Sequence, residues 1–273
     1  TNTRFDFMGT NKKSLIIVSA VIIVCISSFA IRGLSQSIDF TGGRNFKVQF
    51  ENPVEPEQVR ELIASKFGDA NVSVIAIGTD KKTVRISTNY RIEDAGNNVD
   101  SEIESYLYET LKPVLTQNIS LETFIDRDNH TGGSIVSSQK VGPSIADDIK
   151  TGAIYSVVLA LLAIGLYILL RFRNIAYSIG SIVALSCDTI MIIGAYSLFW
   201  GILPFSLEID QTFIGAILTA IGYSINDKVV IFDRVREFFG LYPKRDKRQL
   251  FNDSLNTTLA RTINTSLSTL IVL

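Results

Sequence analysis

Residues 15–31 read LIIVSAVIIVCISSFAI, from Leu15 to Ile31, with nothing more polar than serine and Cys25. A helix of about 20 apolar residues crosses the hydrocarbon core of a bilayer, and this run nearly reaches that length. A cleavable leader would end at a small-residue site soon after a shorter apolar run. Here the run passes into Arg32, Gly33 and a strand-like segment, so the sequence predicts a retained membrane helix. Three more such runs follow, Thr151 to Leu170, Ile175 to Phe199 and Gln211 to Phe232, the last two interrupted by Asp188 and by Asn226-Asp227-Lys228. A fifth begins near Leu255, and the chain stops inside it at Ile271-Val272-Leu273, which reads as a truncated helix; Thr1 is not an initiator methionine. The predicted class is an α-helical multi-pass membrane protein. Its expected parts are an N-terminal segment over 1–13, a first membrane helix over 14–33, a soluble insert over 34–150, and helices two to five over 151–273.

Bulk composition hides this segregation. The 273 residues exceed one ordinary soluble domain of about 100 to 200, and 26 basic against 27 acidic residues give a net charge of -1. That is not the balance of a nucleic-acid binder. Charged residues make up only 19% of the chain, which hints at membrane without proving it. A single histidine, His130, rules out H-E-x-x-H zinc sites and clusters of histidine ligands. Cys25 and Cys187 lie far apart within apolar runs, which excludes a CxxC redox pair. No metal or cofactor is expected.

Lysine and arginine in short loops give the orientation, because cytoplasmic loops collect them. Arg4, Lys12 and Lys13 precede the first helix, and Arg171 and Arg173 separate the second from the third. Arg234, Arg236, Lys244, Arg245, Lys247 and Arg248 fill the loop before the fifth. The N-terminus is therefore predicted to be cytoplasmic and residues 34–150 extracytoplasmic.

Within the insert, Asn45 to Glu51 alternates as a strand, and Glu55 to Phe67 repeats Val59, Leu62, Ile63 and Phe67 at helical spacing. Val72 to Ile77 and Thr83 to Thr88 read as strands joined by a turn, and Val99 to Leu115 as a second helix. Ile119 to Ile125 and Ile135 to Val141 read as late strands. The order is that of a ferredoxin-like α+β domain, βαββαβ. Thr41-Gly42-Gly43 reads as a tight junction where helix gives way to strand, since a phosphate cradle would open a helix instead. His130 reads as a solvated loop residue, with no nucleophile or metal partner beside it.

An ionisable group inside a membrane helix costs about 2.5 to 3.5 kcal/mol to insert and marks function by default. Asp227, roughly 9 Å in from Asp233 at 1.5 Å per residue, and Arg261 on the fifth helix are expected at similar depth, facing each other. Tyr223, Ser224 and Asn226 lie near Asp227, and Thr258 and Thr265 share the face of Arg261, so that hydroxyls can hold water or relay a proton. A buried ion pair that only fixes helix packing is the plainer alternative. Gly215, Thr219 and Gly222 fit it, as small residues that let helices approach. Asp188, with no cation near it in sequence, reads equally as a supporting polar residue of this site or as a polar packing contact, and Lys228 as a side chain able to snorkel to the cytoplasmic surface.

Four stretches together resemble a known family: Phe5-Asp6-Phe7-Met8-Gly9, Ile38-Asp39-Phe40-Thr41-Gly42-Gly43, Val141-Gly142-Pro143-Ser144, and Gly222 to Arg234 with its Asn226-Asp227-Lys228. They are similar to SecF, the accessory subunit of the bacterial Sec translocon, or to the SecF half of fused SecDF proteins, in the resistance-nodulation-division superfamily. The resemblance implies six helices, of which a sixth is absent here, in the bacterial inner membrane, with one periplasmic domain between the first two. It also implies work with SecD, and with YajC-type subunits, at the SecYEG channel, where the proton-motive force helps draw unfolded polypeptide across after SecA has pushed it. The proton-linked residues would be Asp227, Arg261 and Thr265, and the family motifs supply Asp39, Gly42, Gly43, Gly142 and Pro143. Relatives often carry histidine before the third-helix aspartate, where this chain has Cys187. Two other classes compete. A small-molecule exporter of the same superfamily usually has two large periplasmic loops, against one insert here. A non-transporting assembly subunit would use Asp227 and Arg261 only for packing. No nucleophile, base and orienter constellation supports an enzyme.

Overall fold

The computed structural model describes residues 5–272 apart from 69, 79, 95–97, 117–118, 129–132 and 204–206, and apart from the side chains of Thr269 and Val272. His130 lies outside the described residues. The chain divides into two compact units. One comprises Thr1–Leu34, Ile154–Leu203 and Thr212–Leu273, and the other comprises Ser35–Ala153 and Pro204–Gln211.

The second unit is built on a small antiparallel sheet. Its strands are β1 (Gly43–Phe50), β2 (Val72–Ile77), β3 (Thr83–Thr88) and β4 (Gly133–Val141), in the order β2-β3-β1-β4. Strict alternation buries Phe46, Val48 and Phe50 of β1 with Val84 and Ile86 of β3 on one face. Against that face pack Val59, Ile63 and Phe67 of α3 (Pro56–Phe67) and Ile103, Leu107 and Leu111 of α4 (Val99–Leu111). The opposite face carries Asn45, Lys47, Arg85 and Ser87. Arg44, 1% exposed, lies at the sheet's end and reaches Asp100 at 2.8 Å and the carbonyl of Tyr90 at 2.9 Å.

Two local readings are corrected. Residues 121–125 form a short helix, α5 (Leu121–Ile125), and not a strand. Ser120 caps it by accepting from the Thr123 N–H, and this cap outweighs the β-favouring isoleucines on either side. Helix α4 also stops at Leu111, short of Leu115, because Pro113 has no N–H to continue the ladder.

The glycine junction is a one-turn helix, α2 (Ile38–Thr41), running into β1. Gly42 has φ +71 and Gly43 φ +148, and a Cβ on Gly43 would stand 2.8 Å from the Thr88 carbonyl oxygen. Only glycine allows that approach. A strap over residues 207–211 lies beside this junction. The Ser37 N–H donates to the Ile209 carbonyl at 3.0 Å, and the Ile209 N–H donates to that of Ser35 at 2.8 Å. Glu208 accepts from Arg85 at 2.5 Å and from Ser73 at 3.2 Å.

Burial pushes the Glu208 carboxyl above the ordinary range, with Arg85 and Ser73 pulling the other way. The folded chain therefore holds this proton more tightly than the unfolded one. Its contribution to stability is full below the ordinary carboxylate pKa and is lost as pH rises through the raised value. Glu208→Gln is expected to match the parent at acidic pH and to melt higher than it near neutrality. Thermal unfolding from about pH 4 to about pH 8 reads this directly, and a gap that widens toward acid contradicts it.

Among the described residues, four helices that lie mostly in the first unit are long and apolar enough to cross a membrane: α1 (Phe7–Arg32), α6 (Pro143–Phe172), α7 (Ile175–Phe199) and α8 (Gln211–Leu241). Leu15, Ile16, Ile154, Leu159 and Leu170 stand exposed on α1 and α6, as side chains that face lipid do. The chain is a multi-pass membrane protein. The last helix, α9 (Lys247–Val272), begins before Leu255 and is not among the four, since Arg261, Asn264 and a run of hydroxyls dilute it.

Close packing uses small residues, but not the ones expected. Nothing stands within 4 Å of a Cβ built on Gly215 or Gly222, whereas one on Gly194 would meet the Cys25 Cβ at 2.2 Å, and one on Gly165 would meet Ile182 at 2.4 Å. Across the first of these contacts the Ser28 and Ser197 hydroxyls are 3.1 Å apart, and Ser197 also donates to the Gly33 carbonyl at 2.8 Å. Arg32 donates to the Leu198 and Trp200 carbonyls at 2.9 and 3.0 Å. At the far end of α1, Asn252 and Asn256 of α9 accept from the Phe7 and Phe5 N–H groups at 2.7 and 2.8 Å. Arg248 donates to the Met8 carbonyl at 2.8 Å.

Candidate functional site

Helices α7 and α8 hold the one ion pair found among the described residues in the middle of the membrane helices. Lys228 Nζ lies 2.7 Å from Asp188 Oδ2, and Ser224 Oγ donates to the same oxygen at 2.6 Å. Lys228 also donates to Ser224 Oγ at 2.5 Å. Ser224 and Lys228 are one turn apart on α8, so both reach a carboxylate on the neighbouring helix. The Lys228 and Asp188 side chains are 20% and 33% exposed. Asp188 thus has a cation partner, and the Lys228 ammonium turns toward α7.

This pairing decides where Asp227 points. Successive residues on a helix are turned by about 100°, so with Lys228 aimed at α7 the adjacent carboxylate faces away from it. Asp227 is half-buried, and no hydrogen bond or ion pair joins its carboxylate to any described residue. Arg261 is exposed and likewise unpaired among the described residues. The two expected partners are thus not within ion-pair distance in this structure. Tyr223 and Asn226 stand exposed on α8, on the side that also carries Gly215, Thr219 and Gly222.

On α9 the hydroxyls turn back on their own helix. Thr258, buried, donates to the Ser254 and Leu255 carbonyls at 3.2 and 3.1 Å, and Thr265 donates to the Arg261 carbonyl at 3.0 Å. Such bonds let a hydroxyl bond within its own helix. Nearer the end of α8, Asp233 takes Arg171 of α6 and Arg236 of its own helix, each at 3.2 Å. These three side chains line a cavity of about 480 Å³ with Glu237, Gly240 and Leu241.

The motif residues of the second unit also fall together. Pro143 opens α6, and its Cα would lie 3.4 Å from a Cβ on Gly42, so the two glycine-containing motifs adjoin. Gly142 accepts the Ala146 N–H at 3.0 Å in the first turn of that helix. Asp39 Oδ2 accepts from the N–H of Gln211, the first residue of α8, at 3.0 Å. Among the described residues no group of three or more His, Cys, Asp or Glu is placed to hold a metal ion.

Sequence reasoning missed Lys228 as the partner of Asp188. The signal was present in position along the helices: Asp188 stands as far from the start of α7 at Ile175 as Lys228 does from the end of α8 at Leu241. Ending α8 at Phe232 concealed that match.

Comparison with known proteins places these features. Residues 122–273 match the family described as protein export membrane protein SecD/SecF, C-terminal, and residues 27–54 match the SecD/SecF GG motif. The protein translocase subunit SecF of Rhodothermus marinus is 36% identical over 271 residues, spanning 99% of this chain and 80% of that one. That of Haemophilus influenzae is 28% identical over 267 residues, spanning 98% and 73%. The crystal structure of SecDF, a translocon-associated membrane protein from Thermus thermophilus, is similar with a TM-score of 0.76 at 27% identity, over 98% of this chain. This chain spans 33% of that longer one.

Proposed function

Because the chain belongs to the SecD/SecF family of protein-export membrane proteins, we propose that it is a SecF-type accessory subunit of the Sec machinery. In this reading it acts with SecD, and with YajC-type subunits, to promote late passage of unfolded preproteins through SecYEG, driven by the proton-motive force. It is a non-enzymatic role in the bacterial inner membrane. The N-terminus is cytoplasmic and the insert periplasmic, as the basic loops suggest. The insert is ferredoxin-like, a reading supported by the strand order β2-β3-β1-β4 with a helix after β1 and another after β3.

One observation carries the proton-driven part. Asp227 is a half-buried carboxylate in a membrane helix, and the neighbouring cation is already committed to Asp188. It can exchange a proton without first breaking a pair to any described residue. Its exposed neighbours Tyr223 and Asn226 leave the approach to it open for water, for Arg261 in another arrangement of α9, or for helices of SecD. A potential of 100 mV supplies about 2.3 kcal/mol per charge, enough to shift a two-state equilibrium by tens-fold.

Asp227→Asn keeps the size of the side chain and removes its proton exchange. In membrane vesicles carrying the complete complex, this variant is expected to lose gradient-dependent stimulation of export while SecD still co-purifies. Full stimulation in the Asn variant would defeat the proton reading and leave the packing role.

A further inference from the structure

The Asp39 motif lies outside the membrane helices, yet it holds the segment that leads into the helix carrying Asp227. Five contacts within the insert's own unit grip residues 208–211. Ser35 and Ser37 bond Ile209 from both sides through their backbones, and Arg85 of β3 and Ser73 of β2 hold Glu208. Asp39 accepts from the N–H of Gln211. That N–H is one of the unsatisfied donors at a helix start, and an anion there is favoured by the helix dipole. The glycine pair explains how Asp39 comes to be in place. A side chain at Gly43 would strike the Thr88 carbonyl and, at 2.9 Å, Ile38 Cγ2, which would lift α2 off the end of β3.

We propose that Ser35 to Asp39 and Glu208 to Gln211 form a mechanical clamp, with Asp39 as its positioning residue, through which movement of α8 on proton exchange at Asp227 reaches the insert. Resting on the proton-driven reading above, the proposal gives this motif a role that its distance from the membrane charges left open. Backbone bonds on both sides of one residue, a paired carboxylate on two strands and a charged cap on a helix start all act within four consecutive residues. An ordinary surface loop needs none of these.

The test uses the full chain assembled with SecD in vesicles, with export measured with and without a proton gradient. Asp39→Ala is expected to lose gradient-dependent stimulation to the no-gradient level, with gradient-independent export and SecD co-purification unchanged, and Asp39→Glu to retain it. A covalent substitute separates positioning from general damage. Gln36→Cys with Ile209→Cys, residues paired across the strap, is expected to restore stimulation to the Asp39→Ala chain on oxidation and to lose it again on reduction. Full stimulation in Asp39→Ala, or no recovery once the cross-link is verified, overturns the clamp. Asp227→Asn run in parallel separates the two ideas. If it loses stimulation while Asp39→Ala does not, only the clamp fails. If it keeps stimulation, the reading beneath the clamp fails.

Discussion

Lys228→Met alone is expected to weaken the membrane unit by about 3 kcal/mol, and adding Asp188→Leu to recover most of that loss. The reasoning follows from the three-way contact of Lys228, Asp188 and Ser224. Removing the ammonium leaves a carboxylate between two membrane helices with a single hydroxyl to solvate it. Removing both charges leaves an apolar contact that lipid and helix accept equally. Unfolding of the purified protein in mixed micelles, run as a double-mutant cycle, gives the coupling energy. Equal losses in the single and double variants would show that the pair contributes nothing beyond packing. Because Asp227 stays unchanged in all of these chains, gradient-dependent export in the double variant also asks whether the pair matters only for structure.

The second large effect is expected at Gly194. A valine there must place its Cβ where the Cys25 Cβ already stands, 2.2 Å away, with the Cys25 Cα at 2.9 Å. Backbone has to move, and with it the Ser28 to Ser197 and Ser197 to Gly33 bonds that lie on the same contact. Overpacking of this kind costs about 1–3 kcal/mol, and losing the hydroxyl bonds adds about 1 kcal/mol. Gly194→Val should therefore melt lower than Gly165→Ala, whose obstruction is the movable end of Ile182. Cys25→Gly in the valine background should restore part of the loss, since it clears the Cβ and Sγ but not the Cα. An additive double variant would mean that α1 and α7 do not press on each other at this point.

Much of the architecture was legible because period and hydropathy act locally. The strands Val72–Ile77 and Thr83–Thr88 and the helix Ile175–Phe199 lie where the alternation and the apolar run put them. The misreadings came from causes that such patterns do not carry. Isoleucines at 119 and 125 favour a strand, but one serine cap between them sets a helix. Helix α8 runs on through Arg234, Arg236 and Glu237 because charge ends a membrane crossing without ending a helix. The site was half legible. Asp188, Ser224, Asp227 and Lys228 all stand out as polar residues in apolar surroundings, but which carboxylate meets the lysine depends on which way α8 is turned toward α7. That rotation is a tertiary property. The strap was not legible at all, since Ser37 and Ile209 meet through backbone atoms that every sequence shares.

The grip of Asn252 and Asn256 on Phe5 and Phe7 carries an expectation of parity. Residues bonded at 2.7 to 2.8 Å cannot lie on opposite sides of a bilayer, so the chain must cross it an even number of times between them. Among the described residues, the helices that intervene and are long and apolar enough to do so are α1, α6, α7 and α8. Reporters of sidedness placed beside Asp6 and beside Asp246 therefore have to agree, whichever compartment they name. The bonds are to backbone groups of the N-terminal segment, so this agreement does not depend on which side chains residues 5 to 8 carry.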